Sequence, residues 1–347
     1  MANTNPSRLG AINGSGNVEA LFLKVFSGEI LTTFEETNIM KDLHRVRTIQ
    51  NGKSAQFPAT GIATAAYHTV GQDIADSSNN YLSNIKHAEK TISIDDVLIS
   101  STFIANIDEL KNHYDVRSIY AKELGKALAK RFDIATMKTL AAAARASATI
   151  TGGNNGTIIG QSSSVFSAIP TAAEIIDALY LMAENLDGKD VSDEGRFAIL
   201  SPSMYYTLIT ADNSAVSLAS NRDAGGVGNI ATGTIAQVAG ISLYKSNHLT
   251  DIAVTDANQD QDDDASNATT GSGGVNNDPF NTGTNGYNAN LSDVKILGGT
   301  QDAIGTVKLL DLATESEYQI QRQGTLFVAK YAMGHGVLRP ECAVEVR

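Results

Sequence analysis

Residues 115–147 read DVRSIYAKELGKALAKRFDIATMKTLAAAARAS, dense in Ala, Leu, Lys, Glu and Arg, with Gly125 the only glycine and no proline. Such side chains lose little rotamer freedom in a helix, so local propensity alone favours one. Asp115 suits the N-cap, where its carboxylate accepts from the unpaired amides of the first turn. Tyr120, Leu124, Leu128 and Phe132 recur every fourth residue and form an apolar stripe. Lys122, Lys126 and Lys130 form a second row offset by two residues, about 200° around the axis at about 100° per residue. The two rows are therefore expected on opposite faces. At about 1.5 Å per residue the helix extends about 50 Å, well past the common length of about 10 to 14 residues. It reads as a spine to which the other elements attach.

Outward from the spine, residues 107–114 carry a short helix-like segment. Before it, the polar stretch 61–89 is flanked by the strand-like SAQFPA (54–59) and KTISIDDVLIS (90–100), where Ile92, Ile94, Val97 and Ile99 favour extended structure. A two-stranded excursion projecting from the body is expected, and such a hairpin has little core of its own. Asn51–Gly52 marks a turn. Near the start, Leu21, Phe22, Val25 and Phe26 stand at helical spacing, whereas residues 1–18 are Asn-, Ser- and Gly-rich and are expected to be mobile or ordered only by a partner.

C-terminal to the spine, a Gly/Asn/Ser-rich turn region precedes a second helix over 171–186, with Ile175, Leu179, Leu181 and Met182 expected on its apolar side. RFAIL (196–200) reads as a buried strand, and SPSMYYTLI (201–209) as a short helix with Ser201 near its cap. Ile241, Leu243 and Tyr244 belong to another core strand. Residues 255–290 are nearly all Asp, Asn, Gly, Thr and Ser and read as a surface insertion. Strand character returns at 294–297, 303–310, 326–333 and 343–346. The fold class is α+β.

The chain has 347 residues, room for one large or two ordinary domains, and 42% hydrophobic content, enough for a sizeable core. The formal net charge of −12 argues against a sequence-reading nucleic-acid binder, which presents a basic face. A single cysteine, Cys342, excludes an internal disulfide and a cysteine-based zinc site. No signal-peptide pattern and no apolar run of membrane-spanning length is visible, so a soluble protein made in a cytoplasm is expected.

Catalytic and ligand motifs fail on inspection. NGKS at 51–54 has the tail of a phosphate-binding loop, but Arg47 stands where the motif needs its first glycine and AQFPATG cannot supply the following helix. Gly226, Gly228 and Ala231 match a dinucleotide fingerprint without a strand before them. Asp256, Asn258, Asp260 and Asp262 fall at calcium-loop positions, yet Gln261 replaces the glycine and Asn267 the bidentate glutamate. Among the six histidines none pairs with another at a spacing of two to four. No G-x-S-x-G nucleophile elbow occurs. An enzyme is not expected, nor is a metal or cofactor.

ALFLKVFSGEILTTF, GKSAQFP, NIDELKNHYDVRSIYAKELGKALA and KYAMGHGVLRPE resemble the major capsid proteins of T7-like podoviruses, especially those of marine cyanophages, and the similarity runs from about residue 19 to 347. GTIAQVAGISLYKSNHL resembles a turn and strand of the capsid axial domain. Residues 255–290 fit that family poorly.

The resemblance implies the HK97-like capsid fold. It assigns 1–57 to an N-terminal arm, 58–98 to an extended loop (E-loop), and 99–184 to a peripheral (P) domain with spine helix 115–147. It assigns 185–316 to an axial (A) domain carrying the acidic insertion, 317–336 to a P-domain sheet, and 337–347 to a strand returning to the A domain. It implies pentamers and hexamers of identical subunits closing an icosahedral shell around double-stranded DNA, with a scaffolding protein and a portal protein as further partners and no membrane. Assembly in the host cytoplasm follows from the same resemblance. Phe22, Phe26, Tyr67, Tyr81 and Lys86 are the expected inter-subunit contacts of arm and E-loop. Lys122, Lys126 and Lys130 are expected to face the lumen and meet DNA without sequence selectivity. Lys86 and Lys90 lie near the hairpin, but no covalent crosslink is expected. The rival classes are a tail or decoration component and a calcium-dependent adhesin.

Overall fold

A computed structural model describes residues 38–61, 63–76, 78, 81–82, 85–95, 97–107, 116–150, 152–160, 165–166, 170–210, 237–249 and 294–347, the side chains of 116–119, 121–122, 210, 312 and 314 excepted. Phe22, Phe26, Asp115, Gly226, Gly228, Ala231 and the acidic stretch 255–290 lie outside the described residues.

Among the described residues, three α-helices and twelve strands form the body. In chain order they are β1 (Arg45–Thr48), β2 (Ser54–Thr60), β3 (His87–Ser93), β4 (Leu98–Ala105), α1 (Val116–Arg145), β5 (Thr157–Ile159), α2 (Ala172–Asp187), β6 (Phe197–Leu200) and α3 (Pro202–Thr210). There follow β7 (Gln237–Val238), β8 (Ile241–Lys245), β9 (Ile296–Gly299), β10 (Ile304–Gln319), β11 (Gly324–Val337) and β12 (Ala343–Val346). A four-stranded sheet has the order β1-β10-β11-β4, a six-stranded sheet the order β5-β12-β9-β6-β8-β7, and β2 pairs only with β3. KTISIDDVLIS is therefore not one strand. It splits at residues 94–97 into β3 of the hairpin and β4 of the four-stranded sheet.

The spine α1 has the expected extent, but its expected two faces hold only for its first half. Residues 132–141 are all buried, because α1 passes between the two sheets and packs against β4, β10 and β11 on one side and β5, β9 and β12 on the other. Leu128, Phe132, Ile134, Met137 and Leu140 share one core with Leu297, Ile304, Tyr331 and Met333. The six-stranded sheet is covered on its other face by α2 and α3, and this explains why RFAIL shows no polar alternation. Phe197 and Ile199 face α1, whereas Ala198 and Leu200 face Ile175, Leu179, Met182 and Leu186 of α2. Leu181 is not on that apolar side. It is exposed, since the buried positions recur at three, four and seven residues and skip it. Thr171 and Glu174 start α2 with reciprocal side-chain-to-backbone hydrogen bonds.

Two contacts tie peripheral pieces to this centre. At the end of α1, Arg145 donates from Nε and Nη2 to the two carboxylate oxygens of Glu345 at 2.7 and 2.8 Å, and Arg347 Nε adds a third bond at 2.7 Å. Glu345 is wholly buried, so β12 is fastened to the spine by a carboxylate whose charge is met by two arginines. On the outer side of the four-stranded sheet, Ile92 of β3 enters a small core with Ala55, Val307 and Leu338. Glycines make room for it: a Cβ on Gly336 would stand 2.7 Å from Ile92 Cγ1, and one on Gly334 would stand 2.0 Å from the Ser93 carbonyl oxygen. β11 thus turns Tyr331, Met333 and His335 toward the spine and glycines toward the hairpin, following the two-residue period of a strand.

Two outcomes follow. Arg145→Ala leaves a buried carboxylate short of its bidentate partner and is expected to lower the unfolding free energy of the unassembled subunit by about 3 kcal/mol in urea titration. Gly334→Ala drives a methyl into the hairpin backbone and is expected to cost about 1–3 kcal/mol, with faster proteolysis of the hairpin than of the six-stranded sheet. A neutral result at either position removes the role given to that contact.

Candidate assembly surfaces

The hairpin is in register from Ser54 opposite Ser93 to Thr60 opposite His87, with Pro58 tolerated because β2 has an open outer edge. Gly61 N donates to Lys86 O at 2.7 Å and closes the base of the loop that follows. A Cβ at Gly61 would lie 2.9 Å from that same oxygen, so the closure requires glycine. Beyond it the described residues of the loop have no regular secondary structure, yet they brace one another. The Tyr81 hydroxyl accepts from Thr69 N at 2.9 Å and donates to Gln72 Oε1, while His68 Nε2 donates to Gln72 O at 2.9 Å and its ring lies 5.2 Å from that of Tyr81.

That bracing leaves apolar side chains pointing away from the chain. Tyr67 and Val70 are 103% and 97% exposed, and Ile74, Leu82 and Ile85 are exposed as well. Large apolar groups left exposed among the described residues make this loop a candidate interaction surface. Of the residues singled out for contacts, Tyr67 and Lys86 stand on this surface. Tyr81 instead spends its hydroxyl inside the loop and positions it.

The lysine row has a different character from a solvated basic face. Lys126 and Lys130 are half-buried, and Lys126 Nζ lies 3.1 Å from Glu123 Oε1, an i,i+3 pair that offsets part of its charge. Lys122 lies in α1, with its side chain outside the described residues. A third surface is the far end of the β10–β11 ribbon. There Ile320 is exposed, Asn106 Nδ2 donates to the Tyr318 hydroxyl at 3.1 Å, and Gln323 takes the left-handed backbone conformation, φ 49°, that turns the chain back. Glu315 and Lys330 pair across this ribbon at 2.8 Å.

NGKS leads through a glycine at φ 120° into β2, a turn between strands. Among the described residues no group of three or more His, Cys, Asp or Glu side chains could hold a metal ion, and no helix is long and apolar enough to cross a membrane. Sequence reading missed the glycine-floored seat of Ile92. Its signal is the alternation MGHGV, small residues on one strand face where another backbone comes close.

A family model described as Gp10A-like, major capsid protein, matches residues 56–347. The major capsid protein of Escherichia phage T7 is 34% identical over 98% of this chain and 96% of its own length. The capsid structure of the cyanophage P-SCSP1u superposes with a TM-score of 0.73 at 39% identity, covering 99% of this chain and 98% of that one. The mature capsid of bacteriophage PhiM1 shares the fold at 17% identity, with a TM-score of 0.67 over 99% of this chain and 96% of that one. The α+β fold is thus that of an HK97-type capsid subunit, and the chain belongs to the Gp10A-like family of tailed-phage major capsid proteins.

Proposed function

We propose that this chain builds the head by assembly alone, without catalysis, as pentamers and hexamers that close an icosahedral shell in the host cytoplasm around double-stranded DNA, with a scaffolding protein and a portal protein as partners. The observation that carries the shell geometry is the braced loop beyond β2 and β3, whose apolar side chains stand exposed among the described residues. A second copy supplies their cover. Repetition of one such contact by rotation gives closed rings. The E-loop corresponds to 58–98, with its foot at Ile92. The P domain corresponds to 99–184 with 317–336, and the A domain to 185–316 with the returning strand 337–347. β10 spans Ile304–Gln319, so the proposed boundary at 316 falls within a single strand of the four-stranded sheet.

Lys122, Lys126 and Lys130 form the proposed lumen-facing row. Its partial neutralisation by Glu123, in a subunit of net charge −12, supports weak contact with phosphates, so that packaged DNA slides instead of adsorbing.

Co-expression with the scaffolding protein, followed by electron microscopy, tests this reading. Closed shells are expected from the unaltered chain. Ile92→Asp, which unseats the hairpin, is expected to give soluble subunits with at least a roughly tenfold lower yield of shells. Open tubes or monomers from the unaltered chain would favour a tail or decoration component.

A further inference from the structure

Residues 38–44 lie against the body through a set of polar contacts that the assembly surfaces do not use. Met40 is fully buried beside the spine. The Met40 and Ile39 amides point at the two oxygens of Asp133, at 3.3 and 3.2 Å, and His248 Nδ1 stands 3.2 Å from the same carboxylate. Asp133 is wholly buried in the enclosed part of α1. From the other side, His44 Nδ1 is 2.5 Å from Met40 O, His44 Nε2 is 2.7 Å from Thr306 Oγ1, and that hydroxyl is 2.8 Å from His335 Nδ1.

Simple hydrogen-bond chemistry assigns every proton in this row. A carbonyl only accepts, so His44 Nδ1 carries a hydrogen. In a neutral ring Nε2 then accepts, and the Thr306 hydroxyl must donate to it. That uses the only hydroxyl proton, so His335 Nδ1 donates to the Thr306 oxygen. The row runs one way, from His335 through Thr306 and His44 to Met40. It is complete with both imidazoles neutral. A proton added at His44 Nε2 sets a donor against the donor of Thr306, and the hydroxyl must turn away from its acceptor inside a closed core.

The surroundings offer an added charge little compensation. The Phe132 ring stands 5.8 Å from the His44 ring and 5.1 Å from that of His335. Facing His44 are Asp133 from α1 and Asp42 from its own segment, which favour the protonated ring, and Lys308 from β10, which opposes it. Burial outweighs them and holds His44 below the usual imidazole range. Burial and the neighbouring His44 push His335 down to about 3.

We propose that residues 38–44 form an acid-released latch, locked to the spine and to β10–β11 while His44 and His335 are neutral and undocked when this pair takes up protons. This inference stands on the polar row and holds whether or not the hairpin reading is right. Both imidazoles bind protons less readily folded than unfolded, so the latch is at full strength above about pH 6.5 and weakens as pH falls below it.

Hydrogen exchange of the full chain tests this, read on peptides covering 38–44 and on β6 as an internal reference. With intrinsic rates corrected, lowering the pH from about 7.5 to about 5 is expected to raise exchange in 38–44 at least about tenfold and leave β6 unchanged. His44→Gln cannot gain the proton and is expected to reduce the response to the part carried by His335, whereas Thr306→Val breaks the row and opens the segment at both pH values. Histidine C2–H exchange on the unaltered chain, which needs no variant to fold, is expected to report His44 titrating below about 6.5. A flat profile in the unaltered chain, an acid response undiminished by His44→Gln, a His44 midpoint at or above that value, or opening of β6 in step with 38–44 would each overturn the latch.

Discussion

Enclosure of a polar-bearing helix is the constraint from which the rest of this subunit takes its arrangement. Residues 132–141 have protein on every side, so each polar group there needs a partner within the molecule. Thr136 and Thr139 return their hydroxyls to carbonyls one turn back on the same helix. Asp133 cannot do this. Its carboxylate instead collects the Ile39 and Met40 amides and His248, and in doing so fixes where two distant stretches of chain must lie. At the helix end Arg145 does the same for β12 through Glu345. The two sheets are therefore held to one rod by apolar packing, while a few charged groups set the register of what is packed.

Strong local signals made much of this visible beforehand. The spine, the helix at 172–187 and the strands at 197–200 and 343–346 are dominated by residues whose propensity and period agree with their burial. The failures share a cause. Leu181 was assigned inside and stands outside because a helix buries an arc, and hydrophobic identity alone does not say where that arc ends. Nor does the spacing of the lysine row say that Lys126 and Lys130 are half-buried. KTISIDDVLIS was read as one extended run because a strand that changes sheets keeps its β-propensity through the break. The polar row through His44, Thr306 and His335 joins residues up to 262 positions apart, and no local pattern announces such a meeting.

A two-stranded hairpin buries too little to stand alone in water. This one is secured at its foot by Ile92 and organised at its far end by hydrogen bonds around Tyr81, two different means at its two ends. Apolar side chains presented by an already ordered loop lose less conformational freedom on docking than those of a floppy one. Ordering of the loop and firm seating of its foot would both reduce the reorganisation that the proposed contact between copies requires.

The strand order also governs when a subunit becomes usable. β1 pairs with β10, and β12 lies inside the six-stranded sheet between β5 and β9, so both sheets join early residues to late ones. A ribosome-bound chain cannot close the four-stranded sheet until residue 337 has emerged, nor the six-stranded sheet until residue 346 has. Nascent or prematurely terminated chains consequently lack the rigid platform that presents the hairpin, and synthesis itself acts as a timer that keeps unfinished copies out of the growing lattice.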